Sequence, residues 1–333
     1  MNVAILGAGA WGTAMALHLH RLGHRVTLTP RRMEQALAIA STRANADYLP
    51  GFELPHDIQV GCELRPVLME ARLVVLACPS VGLRTLCEGI RPYLNDLWAK
   101  PMVLALCKGL DPESARFPTD VMTDYLPELP MGMLSGPSYA ADVARGQPTA
   151  LVLAAKAAEV DLLAVQEALS SPTLRVYRTE DIRGVEIGGS LKNVYAIAAG
   201  ISDGLGLGDN ARAALLTRSL SEMVRLGTAW GGRAETFYGL SGFGDLVATS
   251  HGEWSRNRRF GLALGEGASA QQWLGSLKGV VEGHNAASNF ARRAQADQLE
   301  APILTEVCAV VQGRAAPGEA LTRLMQRDLK AED

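Results

Sequence analysis

The chain has 333 residues, a length at which a single hydrophobic core usually stops growing, so two domains are the first expectation. Hydrophobic residues make up 48% and charged residues 20%, a balance that argues against extensive disorder. Lys and Arg total 32 against 35 Asp and Glu, and a net charge of -3 lacks the basic excess that neutralising a nucleic-acid backbone requires, so no nucleic-acid partner is expected.

The chain opens with an apolar strand over residues 3–6, followed by Gly7-Ala8-Gly9-Ala10-Trp11-Gly12, a helical stretch over residues 12–22 and a second strand over residues 26–29. Glycine is frequent enough, at 34 residues, for GxGxxG spacing to arise by chance, but the flanking strand and helix make the motif specific. Gly7 allows the tight turn, Gly9 lets the backbone approach a pyrophosphate, and Gly12 lets the helix pack close to the strand. The unpaired N–H groups and positive dipole end of that helix then face the anion. With a strand beginning at Val3, no cleavable signal or transit peptide is expected.

In such a fold an acidic residue at the end of the second strand binds the ribose hydroxyls of NAD. Here the position reads Thr29-Pro30-Arg31-Arg32, with no carboxylate to repel a 2′-phosphate and two guanidiniums to bind one, which favours NADP over NAD. The same two arginines also suit a solvated helix start.

Continuous apolar runs at residues 73–78 and 102–107 read as strands buried on both faces, and further strands are predicted at 131–134, 150–154 and 174–177, with a helix over 158–169. These make a parallel sheet of seven or eight strands. Cys78 and Cys107 fall in such runs and are expected to be small buried hydrophobes. The five cysteines contain no CxxC pair and the six histidines are scattered, so reduced thiols in the cytoplasm and no metal site are expected.

Ligands of open parallel sheets lie off the carboxyl ends of the strands. Lys108 follows one strand directly, where it could neutralise a phosphate, polarise a carbonyl or simply solubilise the strand end. Ser135-Gly136-Pro137-Ser138-Tyr139-Ala140 follows the next, a turn that could present N–H groups and the Ser138 hydroxyl to a ligand or merely cap a helix.

Beyond Asp181 the strand pattern disappears, and helices are predicted over residues 185–201, 210–227, 236–240, 245–249, 257–264, 285–296 and 303–312. The boundary drawn near Gly184 has no Gly/Ser linker, so a helix is expected to carry the chain from a domain of residues 1–184 into one of residues 185–333. The apolar stretch 194–207 is broken by Asp203 and is too short to span a bilayer, so no stable membrane insertion is expected.

Within this half, Glu186-Ile187-Gly188-Gly189-Ser190-Leu191-Lys192-Asn193-Val194-Tyr195 sets one lysine among small and apolar residues. Desolvation and a second cation such as Lys108 would make that lysine a proton donor and acceptor near neutrality; snorkelling to solvent is the alternative. Gly188, one turn earlier, leaves space for a substrate or a neighbouring chain segment. Asp245 and Thr249 share a helix face at i, i+4. Ser255-Arg256-Asn257-Arg258-Arg259 gathers hydroxyl, amide and guanidinium groups at a helix start, suited to a phosphate ester or to a plain basic surface.

These segments together resemble the bacterial-type NAD(P)-dependent glycerol-3-phosphate dehydrogenases. The likeness runs through Gly-Ala-Gly-Ala-Trp-Gly-Thr-Ala at 7–14, Cys-Lys-Gly at 107–109, Ser-Gly-Pro-Ser-Tyr-Ala at 135–140, Leu-Lys-Asn-Val-Tyr-Ala-Ile-Ala-Ala-Gly at 191–200, Gly-Asp-Leu at 244–246, Ser-Arg-Asn-Arg-Arg-Phe-Gly at 255–261 and Val-Val-Glu-Gly at 280–283. It implies an α/β fold, with an N-terminal Rossmann-like dinucleotide-binding domain and a C-terminal all-α domain. It also implies reversible hydride transfer between NAD(P)H and dihydroxyacetone phosphate, giving sn-glycerol 3-phosphate for phospholipid synthesis.

By the same resemblance Lys192 is the proton donor and acceptor. Lys108, Gly136, Ser138, Lys192, Asp245, Ser255, Arg256 and Asn257 would contact the substrate, with Asn193 and Thr249 close by. Besides Gly7, Gly9 and Gly12, the cofactor would meet Ala10, Trp11, Arg31, Arg32, Tyr48, Lys108, Ala140, Arg256, Val280 and Glu282. A cytoplasmic homodimer is implied. Ala10 stands where Ser or Asn is common, and Thr29-Pro30 replaces a Trp-containing strand end, departures that bear on cofactor preference. The residues alone also admit a dehydrogenase of β-hydroxy acids, or a regulator that binds NADPH without turnover.

Overall fold

The computed structural model describes residues 1–276, 279–329 and 331, and the chain divides into two compact units, Met1–Glu186 and Ile187–Asp333. The last residues of the expected 185–333 segment, 332 and 333, lie outside the described residues.

The first unit alternates strand and helix: β1 (Asn2–Leu6), α1 (Ala10–Arg21), β2 (Arg25–Thr29), α2 (Met33–Thr42), β3 (Ala44–Asn45), β4 (Leu49–Glu53), β5 (Gln59–Val60), α3 (Leu64–Glu70), β6 (Leu73–Leu76) and α4 (Ser80–Ile90). It continues with β7 (Met102–Ala105), α5 (Pro118–Tyr125), β8 (Met131–Ser135), α6 (Ala140–Arg145), β9 (Thr149–Ala155), α7 (Leu162–Leu169) and β10 (Leu174–Thr179). Eight strands form one sheet in the order β10-β9-β8-β7-β6-β1-β2-β5, and β3 and β4 form a separate antiparallel pair.

The period-2 alternation of β1 divides the core. Val3 and Ile5 pack on one face with Leu17 and Leu19 of α1, while Ala4 and Leu6 pack on the other with Leu83 and Ile90 of α4. Each such Leu or Ile side chain contributes about 1.5–3 kcal/mol when fully buried. The register sets Leu6 beside Thr29 and Leu76, and Ala105 beside Leu76 and Met133, so β1, β2, β6, β7 and β8 end at one sheet edge.

The sheet is not wholly parallel, as the apolar runs suggested, because β8 and β9 pair antiparallel. Residues 136–148 between them hold a turn and only the short α6, so β9 starts at the edge where β8 ends; a parallel return needs a longer crossover. Helix α7 begins at Leu162 rather than 158, because the Asp161 carboxylate accepts from the N–H groups of Leu163 and Ala164 and caps it. Cys107 is buried as expected, but Cys78 is only half-buried.

The second unit is helical: α8 (Ile182–Gly204, whose first residues belong to the first unit), α9 (Gly208–Ala229), α10 (Ala234–Tyr238), α11 (Asp245–His251), α12 (Arg256–Gly265), α13 (Ala270–Ser276), α14 (Glu282–Ala296), α15 (Pro302–Val311) and α16 (Pro317–Met325). A π-helical turn, Leu240–Gly244, leads into α11. Helices α13 and α16 were not predicted, and neither carries a broad buried stripe: α13 has no buried residue and α16 only Ala320.

Two buried carboxylates organise helix starts. Glu222 of α9 accepts from the N–H groups of Ile303 and Leu304 at 3.0 and 2.9 Å, satisfying the first turn of α15, and from the Tyr195 hydroxyl at 3.3 Å. Burial pushes its carboxyl above the usual value, with those N–H bonds opposing. Glu186, within the first unit, accepts from both Thr119 N–H and Oγ1 at the start of α5. Among the described residues no helix is long and apolar enough to cross a membrane.

Candidate active site

In the N-terminal unit the glycine turn is shaped by close backbone approaches. Gly7 has φ +119°, and a Cβ there would lie 2.4 Å from the Ala77 carbonyl oxygen, while one on Gly12 would lie 2.1 Å from the Gly7 carbonyl oxygen. A Cβ on Gly9 would meet nothing within 4 Å. The turn is therefore closed by the chain below and open above, and no side chain caps α1, which begins at Ala10 and Trp11. That cradle fits the diphosphate of a dinucleotide.

Two amide side chains that sequence reasoning missed hold this turn. Asn45 Nδ2 donates to the Ala8 carbonyl at 3.0 Å and to Thr13 Oγ1 at 2.7 Å, and Gln35 Nε2 donates to the same carbonyl at 2.9 Å. Neither carries a local signal, since each acts across a long sequence separation. Tyr48, in the turn between β3 and β4, is 44% exposed. Arg31 and Arg32 follow β2, both exposed, and among the described residues neither guanidinium is bonded to a protein group.

At the same sheet edge, Lys108 Nζ and Ser138 Oγ both donate to the Gly136 carbonyl oxygen, at 2.8 and 3.0 Å. The two strand-end segments singled out in the sequence therefore meet. Ala140 opens α6 immediately beyond.

In the helical unit Lys192 is only 6% exposed, and its Nζ donates to Asp245 Oδ1 at 2.8 Å and to Thr249 Oγ1 at 2.6 Å. Thr249 Oγ1 also reaches Asp245 Oδ1 at 3.2 Å, so the i, i+4 pair presents one acceptor cluster to the lysine. Lys192 does not snorkel, and where a second cation was expected to act on it this unit supplies a carboxylate. The space beside Gly188 holds a neighbouring segment: a Cβ there would stand 3.0 Å from the Ser241 carbonyl oxygen.

Asn193 Oδ1 accepts from Asn257 Nδ2 at 2.8 Å, and Asn257 Oδ1 accepts from the Gly283 N–H at 3.0 Å. Ser255 caps α12 through its hydroxyl, which accepts from the Arg258 N–H at 3.2 Å. Arg256, the first residue of α12, runs over the backbone at Gly279, where a Cβ would come 2.7 Å from its Nη1. Arg256 as a residue is exposed, yet desolvation draws the guanidinium below its usual value, with Glu282 opposing and Arg259 adding to the shift. Arg256 is thus brought beside the segment of Val280 and Glu282, which are both half-buried.

Against known families, the model described as NAD-dependent glycerol-3-phosphate dehydrogenase N-terminus matches residues 2–161, and the corresponding C-terminus model matches residues 181–322. The chain belongs to the NAD-dependent glycerol-3-phosphate dehydrogenase family. It is 47% identical over 345 residues to a glycerol-3-phosphate dehydrogenase (NAD(P)+) of Paracidovorax citrulli, covering 100% of this chain and 99% of the relative. A relative of the same name from Thermoanaerobacter is 42% identical, covering 100% of this chain and 99% of its own length. The crystal structure of a glycerol-3-phosphate dehydrogenase from Coxiella burnetii matches with a TM-score of 0.91 at 38% identity, covering 98% of each chain. Family membership accounts for the dinucleotide fold at the N-terminus and the helical C-terminus together.

Proposed function

We infer that this protein is an NAD(P)-dependent sn-glycerol-3-phosphate dehydrogenase, interconverting dihydroxyacetone phosphate and sn-glycerol 3-phosphate. The observation that carries the reading is the buried Lys192 with Asp245 and Thr249 as partners, in a chain matched to its relatives along its whole length. Taking a charged pair out of water gives up hydration that the pair's attraction barely restores, so such a pair is poor value for stability alone. A positioned ammonium is instead what carbonyl reduction needs.

When bound, the dinucleotide supplies the hydride for reduction or accepts it in oxidation. Lys192 gives its proton to the ketone oxygen as charge develops there, and takes it back from the alcohol in the reverse direction. Asp245 and Thr249 fix the ammonium, so no reorganisation is needed during the reaction. Ser255, Arg256 and Asn257 at the start of α12 bind the substrate phosphate, where helix N–H groups and a guanidinium act together. Lys108, Gly136 and Ser138 contribute further substrate contacts. Binding energy from the phosphate orients the reacting carbon, which makes free dihydroxyacetone a poor substrate.

In this reading residues 1–184 form the dinucleotide-binding domain and residues 185–333 the substrate domain. Gly7, Gly9, Ala10, Trp11, Gly12, Tyr48, Lys108, Ala140, Arg256, Val280 and Glu282 line the cofactor, while Arg31 and Arg32 hold a 2′-phosphate and tilt preference to NADP. A cytoplasmic homodimer feeding phospholipid synthesis completes the proposal. The deciding experiment follows NADPH absorbance with dihydroxyacetone phosphate and then with ketones bearing a carboxylate instead of a phosphate. Oxidation with the first alone is expected; oxidation only with the carboxylates, or none at all, overturns the reading.

A further inference from the structure

Helices α8 and α12 run side by side in the same direction, from Asn193 beside Asn257, through Ile197 against Gly261, to Ile201 against Gly265. Four glycines line the seam. A Cβ on Gly261 would fall 2.0 Å from the Ile197 carbonyl oxygen, and one on Gly200 would fall 2.0 Å from that of Arg258. On Gly204 it would lie 2.4 Å from the Leu262 carbonyl oxygen, and on Gly265 2.6 Å from that of Ile201. In every case backbone opposes backbone, so no rotamer can yield. A single added methyl must part the helices by about 1 Å to restore ordinary contact distances.

Glycine in a helix interior is less favourable than Ala, so an all-glycine seam is a poor choice for helix stability itself. What it gains is proximity, and the seam leads to the end of the pair that carries the candidate site. There Asn193 and Asn257, 4% and 9% exposed, hydrogen-bond across the two helices, and Gly283 of α14 packs against the Asn193 carbonyl, where a Cβ would come within 2.6 Å. Lys192 precedes Asn193, and Ser255 and Arg256 precede Asn257. The separation of the two helices therefore fixes how far the lysine's helix stands from the start of α12.

Resting on the reading in which Lys192 meets the carbonyl oxygen and the start of α12 meets the phosphate, we propose that Gly200, Gly204, Gly261 and Gly265 act as a ruler. Their backbone contact sets the distance between proton donor and phosphate site, and thereby selects ketones whose carbonyl is separated from the phosphate ester by a single methylene. The glycines are positioning residues, acting through α8 and α12.

The test measures kcat and KM of the wild type, G200A and G261A with dihydroxyacetone phosphate and with 4-hydroxy-3-oxobutyl phosphate, its homologue longer by one methylene. Inorganic phosphate serves as a competitive inhibitor. In each variant the preference in kcat/KM for the shorter ketone is expected to fall about tenfold or more, chiefly through kcat; in G261A, whose added methyl meets Ile197 of α8 and not the first turn of α12, phosphate inhibition is expected to stay within about twofold. A preference that stays at the wild-type value, whether Tm falls or both ketones lose activity alike, overturns the ruler. Should the first two variants not fold, G265A, with the loosest contact of the four, provides the same readout. A wild type that does not reduce dihydroxyacetone phosphate sinks the functional reading and the ruler with it, whereas wild-type turnover with unchanged variant preference sinks the ruler alone.

Discussion

The glycine turn after β1 and the Lys192 cluster on α8 solve opposite problems. The turn removes side chains: Gly7 and Gly12 let backbone touch backbone, while Gly9 leaves the space above open. The Lys192 cluster concentrates side chains, with an ammonium, a carboxylate and a hydroxyl buried together on two helices. A site that grips a fixed polyanion can rely on N–H groups and exposed guanidiniums, which tolerate water. On the proposed reading the Lys192 cluster transfers a proton, and its burial holds the ammonium in one place with little water around it.

The contrast is tested most severely by Lys192→Ala. If chemistry rests on the buried cluster and binding on the turn, kcat falls by about three to four orders of magnitude, while NADPH affinity, read by fluorescence titration, stays close to wild type. Near-normal turnover removes Lys192 from its role. A parallel loss of cofactor affinity instead removes the division of labour between the two regions.

The opposite variant, Arg31→Ala with Arg32→Ala, strikes only the exposed side of the comparison. Losing charge-assisted bonds to a 2′-phosphate costs about 1.5–3 kcal/mol, so NADPH is expected to bind roughly tenfold to a hundredfold more weakly while NADH is little changed. Because these arginines are exposed, the effect shrinks as salt is raised. Equal weakening for both dinucleotides means that the arginines do not read the phosphate.

The two regions also differ in how far the sequence discloses them. Gly7, Gly9 and Gly12 are legible because strand, turn and helix are contiguous, and the apolar runs gave seven of the eight sheet strands at nearly their observed positions. The short β5 lacks any such run. Lys192, Asp245 and Thr249 were each visible, but their meeting was not, since it joins residues on α8 and α11 that no local period connects. For the same reason Asn45 and Gln35, which brace the Ala8 carbonyl, and Glu222, which caps α15, left no sign. The antiparallel β9 was hidden because an apolar run reads alike in either direction.

Glu186 lies outside both regions, a buried carboxyl without an assigned chemical task. Desolvation raises it from 4.5 to about 7, against the opposing hydrogen bonds from Thr119 and the attraction of Arg183. Arg183 Nη1 stands 3.2 Å from Glu186 Oε2 but is not aligned to hydrogen-bond it, so the ion pair compensates only in part. Between these two values the folded chain keeps a proton that the unfolded chain has lost, so stability falls as pH rises through the window and levels off above it. From about pH 6 to about pH 8 this one group should remove about 1 kcal/mol, read as a drop in the urea midpoint. Glu186→Gln keeps an oxygen to accept from Thr119 but carries no proton to lose, so its contribution to the slope should vanish while kcat keeps its pH profile. A shift in that profile would show instead that Glu186 is coupled to the proton transfer at Lys192, and the line between binding scaffold and chemistry would have to be drawn elsewhere.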